Sequence, residues 1–243
     1  MKLESQQEWV KDLMFYIISS LQTYNADDMF STGYGYTINA AIDNYTLTYY
    51  DEKENKNIGL YQRYYKNYIS GNYRNVLLSK KAFDLLSEAS DCNLSKIEDE
   101  NKVFHGEHLT PMSYTRRFLN SLLDEKDHLS EAELKARIRF AFSQSKFCII
   151  TKEESMLLDG KEKKYSRQEI DEFINEYRMI KKISKETENI YRELEGKPKK
   201  SYGFGAIRMW SMNKGGVEFV DYKGNAKTFS ECLAYLEDNV YKI

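Results

Sequence analysis

Cysteine is scarce in this chain, and its few positions are far apart. Cys92, Cys148 and Cys232 are odd in number and form no CxxC pair. That excludes a disulfide framework and a zinc ribbon, and points to a reducing compartment. Long apolar runs are missing too. The longest window, "LMFYIISSL" at 13–21, falls far short of the roughly 20 residues that span a bilayer. The segment before it, "MKLESQQEWVKD", is acidic as well as basic, unlike a secretory leader. A cytoplasmic protein with no membrane partner is the expectation. Net charge is also small, at -2, so no global field draws in nucleic acid, and any basic surface must be local. No internal repeat is visible. "GYGYT" at 33–37 has no P-loop lysine, and no organic cofactor motif occurs.

Apolar residues make up 41% of the 243 positions, enough to bury a core without a metal or disulfide staple. Tyrosine is abundant, at 20 residues. It suits interfaces and single-stranded nucleic acids, and codon drift in an A+T-rich genome gives the same excess.

Periodicity predicts an α+β fold. Val10, Leu13, Met14, Ile17, Ile18 and Leu21 make one stripe of an N-terminal amphipathic helix over about 7–24. Residues 34–78 alternate and are rich in Thr, Tyr and Ile, which predicts an antiparallel β meander. Its turns fall at Asp43-Asn44, in the polar loop Asp51–Asn57 and at Ser70–Asn72. From Ser79 the pattern turns helical. Ser79 caps "KKAFDLLSEA", Thr110 and Pro111 start a second helix, and "SEAE" at 130–133 starts a third. "KFCIIT" reads as a buried strand, followed by the box "TKEE" at 151–154. "SRQE" at 166–169 opens what reads as one long helix to about Glu195, whose near-heptad stripe suits internal packing or a homodimer. "GKPKKSYGFG" at 196–205 reads as a basic linker. It divides a main domain, 1–195, from a ββα tail, 196–243, packed on that domain.

The prolines and histidines are few, yet "FHGEHLTP" at 104–111 holds two of the chain's 3 histidines and one of its 2 prolines. Imidazole and carboxylate can share a divalent ion, and imidazole can take a proton from water. Arg116 and Arg117 in the following helix suit a phosphate. The same residues also read as a plain helix start.

"EHLTP" resembles the acidic-His-x-x-Pro core of His-Me finger (HNH) nucleases. The resemblance is confined to this stretch. It implies Glu107 as a Mg2+ ligand, His108 as the general base, and Asn120 or His128 completing the metal site. "VDYK" also resembles, through Asp221-x-Lys223, half of a PD-(D/E)xK site, and reads equally as a hairpin turn.

Between Tyr61 and Lys81, Arg63, Lys66, Arg74, Lys80 and Lys81 are interleaved with tyrosines, a pattern suited to phosphates and bases. Two function classes follow. One is a DNA- or RNA-interacting prokaryotic or phage protein, with a metal-dependent endonuclease of a restriction or defence system as its catalytic form. The other is a non-catalytic inhibitor or adaptor that binds a protein partner.

Overall fold

A computed structural model of the chain describes residues 48–51, 56–59, 77–88, 104–125, 128–144, 146–159, 163–221 and 223–237. The expected N-terminal helix at 7–24, the Asp43-Asn44 turn and the segment holding Arg63, Lys66 and Arg74 lie outside these residues.

Helix starts are written in the sequence by side chains that satisfy otherwise unpaired amide N–H groups. Among the described residues four S/T-x-x-E boxes are formed. Ser130 and Glu133 open α3. Thr151 and Glu154 open α4, Ser166 and Glu169 open α5, and Thr228 and Glu231 open α8. Ser79 accepts the Ala82 amide at 3.1 Å and caps α1. The elements run β1 (Thr48–Asp51), β2 (Lys56–Gly59), β3 (Leu77–Ser79), α1 (Lys80–Glu88), β4 (Phe104–His108), α2 (Met112–Glu125) and α3 (Glu131–Ser143). They continue with β5 (Phe147–Thr151), α4 (Lys152–Ser155), α5 (Arg167–Ile180), α6 (Lys185–Arg192), α7 (Gly205–Lys214), β6 (Phe219–Val220) and α8 (Phe229–Glu237).

The fold is a mixture of helix and strand around a small mixed sheet, ordered β4-β5-β3-β6. β5 runs parallel to β3 and antiparallel to β4, with Glu107 opposite Cys148 and His105 opposite Ile150. Both of its neighbours are occupied, which is why "FCIIT" reads as an unbroken apolar run. β1 and β2 pair with each other across the polar loop, as the alternation predicts. β3 does not extend that meander: its two edges are taken by β5 and β6.

One sheet face, carrying Leu77, Cys148, Ile150 and Phe219, packs on a core built from α5, α6, α7 and α8. Phe204 is its aromatic hub, with ring centroids of Tyr114, Phe118 and Phe140 at 4.9, 5.1 and 4.8 Å. Offset and edge-on contacts of this kind add to simple area burial.

Three expectations are corrected. The long helix is two, α5 and α6, because Lys181 is extended and Ser184 caps a new start by accepting the Thr187 amide. Ile170, Phe173, Tyr177, Tyr191 and Leu194 of its stripe are in the core, while Ile180 is 37% exposed. The tail is αβα rather than ββα. "AIRMWSM" is the buried helix α7, apolar nearly all round, so its run carried no one-faced period to tell it from a strand. Thr110 does not cap α2. Its hydroxyl donates to the Gln144 carbonyl at 2.6 Å, and the Tyr114 and Thr115 amides in the first turn donate to the Pro111 carbonyl.

Candidate functional site: a buried ion pair beside a basic strap

Strand β4 is the edge of the sheet, and side chains along a strand alternate between its faces. His105 and Glu107 therefore share one face and His108 lies on the other. The structure joins the first two: His105 Nε2 and Glu107 Oε2 are 2.9 Å apart. It does not bring Glu107 and His108 together as a ligand and base.

The second oxygen of Glu107 accepts from Arg208 Nη2, and Arg208 Nη1 donates to the Lys199 carbonyl. Arg208 is 3% exposed and Glu107 13%. Burial pushes the Glu107 carboxyl up. The Arg208 guanidinium and the His105 hydrogen bond outweigh it, and the net position is below the ordinary carboxylate value. Behind the pair, burial and the Glu107 charge hold the Cys148 thiol well above its usual range, so it is no nucleophile. Burial likewise raises the Tyr165 hydroxyl, despite the Arg208 charge beside it.

This donor set does not suit a divalent cation. The carboxylate that would ligate the metal is already paired with a buried guanidinium, whose charge opposes a cation beside it. Among the described residues no group of three His, Cys, Asp or Glu side chains is gathered. His128 is exposed just ahead of α3; Asn120 and Arg116 lie on α2 with side chains outside the described set. Lys80 pairs with Asp84, and Lys81 lies 3.4 Å from Glu153. Asp221 is the anchor of a turn. Its carboxylate accepts the Lys223 and Asn225 amides at 2.9 and 3.0 Å, so Lys223 belongs to the turn and not to a strand.

Sequence reasoning missed two features. Arg208 is the lone charge inside "FGAIRMWSM", and a single charge in an apolar run signals a buried partner. The second is the segment read as a linker. Residues 195–199 pair with 163–165, through bridges Lys164↔Pro198 and Tyr165↔Glu195, and form a strap. Its polar backbone is satisfied by bonds from Tyr165, Gly196 and Lys199. Lys199 turns inward to Glu169, while Lys164, Lys197 and Lys200 stay exposed.

Arg117 of α2 reaches this strap. Its guanidinium lies 4.2 Å from the centre of the Tyr202 ring and donates to the Ser201 carbonyl at 2.6 Å. Lys197 Nζ lies 5.7 Å from the same ring. Tyr202 also meets Tyr114, at 5.4 Å between centroids. The result is a fixed basic surface, with Glu193 and Glu195 as the exposed acids of the same stretch. No known family, curated protein or solved structure matches the chain.

Proposed function

We propose that this protein binds nucleic acid through its phosphate backbone, with Arg117, Lys164, Lys197 and Lys200 as the contacts. The observation that supports the reading is Arg117 held against Tyr202 beside Lys197. A guanidinium fixed by stacking and one carbonyl bond keeps further donors for a phosphate and loses less freedom on binding it. Lys200 is only loosely paired, 3.5 Å from Asp159 with both side chains solvated, so a phosphate can displace that carboxylate. Because one face of Tyr202 is occupied by Arg117, the surface suits backbone contacts better than base stacking.

The test is fluorescence anisotropy with duplex DNA and with RNA across a salt series. Arg117→Ala with Lys197→Ala should weaken binding for every sequence tried. The slope of log affinity against log salt should fall by about 2, since each lost phosphate contact removes roughly 0.9. Wild-type affinity and slope in the double variant would end this proposal. A parallel incubation with Mg2+ reads cleavage directly. Cutting by wild type, lost in His108→Ala, would move the reading to the nuclease implied by "EHLTP".

A further inference from the structure

Carbonyl oxygens are the part of a basic loop that a phosphate meets with repulsion. In the strap and the turn that follows it, along 197–202, most of them are already taken. The Lys197 carbonyl accepts the Tyr165 amide at 3.1 Å, and the Pro198 carbonyl accepts the Ser201 and Tyr202 amides at 3.2 and 3.1 Å. Side chains from separate parts of the fold hold others. Arg208 of α7 donates to the Lys199 carbonyl. Arg117 of α2 donates to the Ser201 carbonyl at 2.6 Å. Tyr165, just ahead of α5, donates its hydroxyl to the Tyr202 carbonyl at 3.3 Å. At the next residue, Gly203, φ is 110°, and a Cβ there would run into that same hydroxyl, so the turn is seated directly on Tyr165. Arg117 is exposed, but Arg208 and Tyr165 are only 2% and 1% exposed and cannot touch a ligand lying on the strap. Arg208 is fixed in turn by Glu107, and Glu107 by His105.

Resting on the phosphate-binding reading above, we propose that Arg208 and Tyr165 are its positioning residues. From beneath, they hold the Lys199 and Tyr202 carbonyls inward. They thereby keep Lys197, Lys200 and the ring that carries Arg117 in place before a ligand arrives. A surface ordered in advance gives up less freedom on binding. Losing either anchor leaves every contacting cation present, so the number of phosphates met, and with it the salt slope, is unchanged. Only the cost of ordering the strap returns.

Anisotropy with duplex DNA and with RNA across a salt series tests it, beside amide hydrogen exchange of the full chain without ligand. Tyr165→Phe keeps the ring and removes the hydroxyl. Arg208→Lys keeps a charge opposite Glu107 and removes the second donor arm. Each should weaken binding about tenfold, the cost of ordering roughly one residue of backbone, at the wild-type salt slope. Each should also speed exchange across 197–203 and not across α3. A merely structural role would lower the urea midpoint and leave the affinity of the folded protein where it was. Tyr165→Phe, which changes no charge, decides the matter where Arg208→Lys does not fold. Wild-type affinity in Tyr165→Phe overturns the proposal, as does a slope that falls as far as in the variant lacking Arg117 and Lys197. Unchanged exchange across 197–203 overturns it while leaving the phosphate-binding reading intact. A wild type that binds neither DNA nor RNA ends that reading and this one together, whatever the exchange shows.

Discussion

Glu107 and Arg208 show how distant stretches of a chain can be committed to each other by one pair of charges. They are separated by 101 positions, and each sits where an unpaired charge would be costly. Glu107→Gln leaves the Arg208 guanidinium buried without a counter-charge and should cost about 3 kcal/mol of stability by urea denaturation. Replacing both partners, with Glu107→Leu and Arg208→Met, should recover much of that loss, because the desolvation penalty disappears with the charges. The pair also fixes a direction with pH. The folded carboxyl lies below its ordinary 4.5, so its contribution is complete above 4.5. It is lost as pH falls through the lower, folded value. The Gln variant should therefore lose less stability than wild type on acidification below 4.5. Equal acid losses in the two proteins would mean that the pairing is not made in solution. Asp221 follows the same sign: its turn bonds outweigh desolvation and bring the carboxyl down to about 2.

At the scale of elements, the most legible signals were those completed within four residues. Each capping box needs only a hydroxyl and a carboxylate three positions apart, and each formed where the sequence placed it. The strand at Phe147–Thr151 was equally plain from its β-branched apolar run. What failed depended on distant partners. α7 is apolar on nearly all sides because the sheet, α5 and α8 surround it, and no local period reports that. The break at 181–184 was readable, however. Basic residues at the end of α5, then Ser184 with Glu186 and Glu188, match a helix end followed by a new start. A long internal stripe masked it. The candidate site was only half legible: Glu107 and Arg117 were singled out, while the His105–Glu107 pairing, Arg208, Lys197 and Tyr202 needed the chain to fold. Ser184→Ala should lower stability by about 1 kcal/mol through the lost cap. Gly205→Ala separates local from tertiary effects more sharply. Helix propensity alone predicts a gain of up to about 1 kcal/mol. A Cβ at that position would run into the backbone carbonyl of Gln144, whose side chain also accepts the Ala206 amide at 2.9 Å. A net loss of about 1 to 3 kcal/mol is expected instead. A stabilised variant would place α7 away from the turn after α3.

Across the whole molecule, the segment read as a linker does not divide the core. Phe204, Ile207, Trp210 and Leu233 lie in the same buried cluster as Leu77, Ile150, Phe173 and Tyr191. Among the described residues, Tyr114, Tyr165, Tyr177 and Tyr191 are buried here as well. A shared core implies shared opening, and two cysteines report on it from either side of the strap. Cys148 lies on β5 and Cys232 on α8; both thiols are buried and free. Burial pushes Cys232 up to about 12 and Cys148 higher than its usual range, so neither ionises at neutral pH in the folded chain. A thiol reagent should therefore modify both only after unfolding, because thiolate forms once water reaches the sulfur. If the core is one cooperative unit, peptide mapping under increasing urea should show Cys148 and Cys232 becoming reactive along one curve, with one midpoint. If the tail from 196 onward is a domain of its own, Cys232 should react at lower urea while Cys148 stays protected. Glu107→Gln sharpens the distinction. Arg208 belongs to the tail and Glu107 to the sheet, so in a single unit that substitution should shift both curves equally.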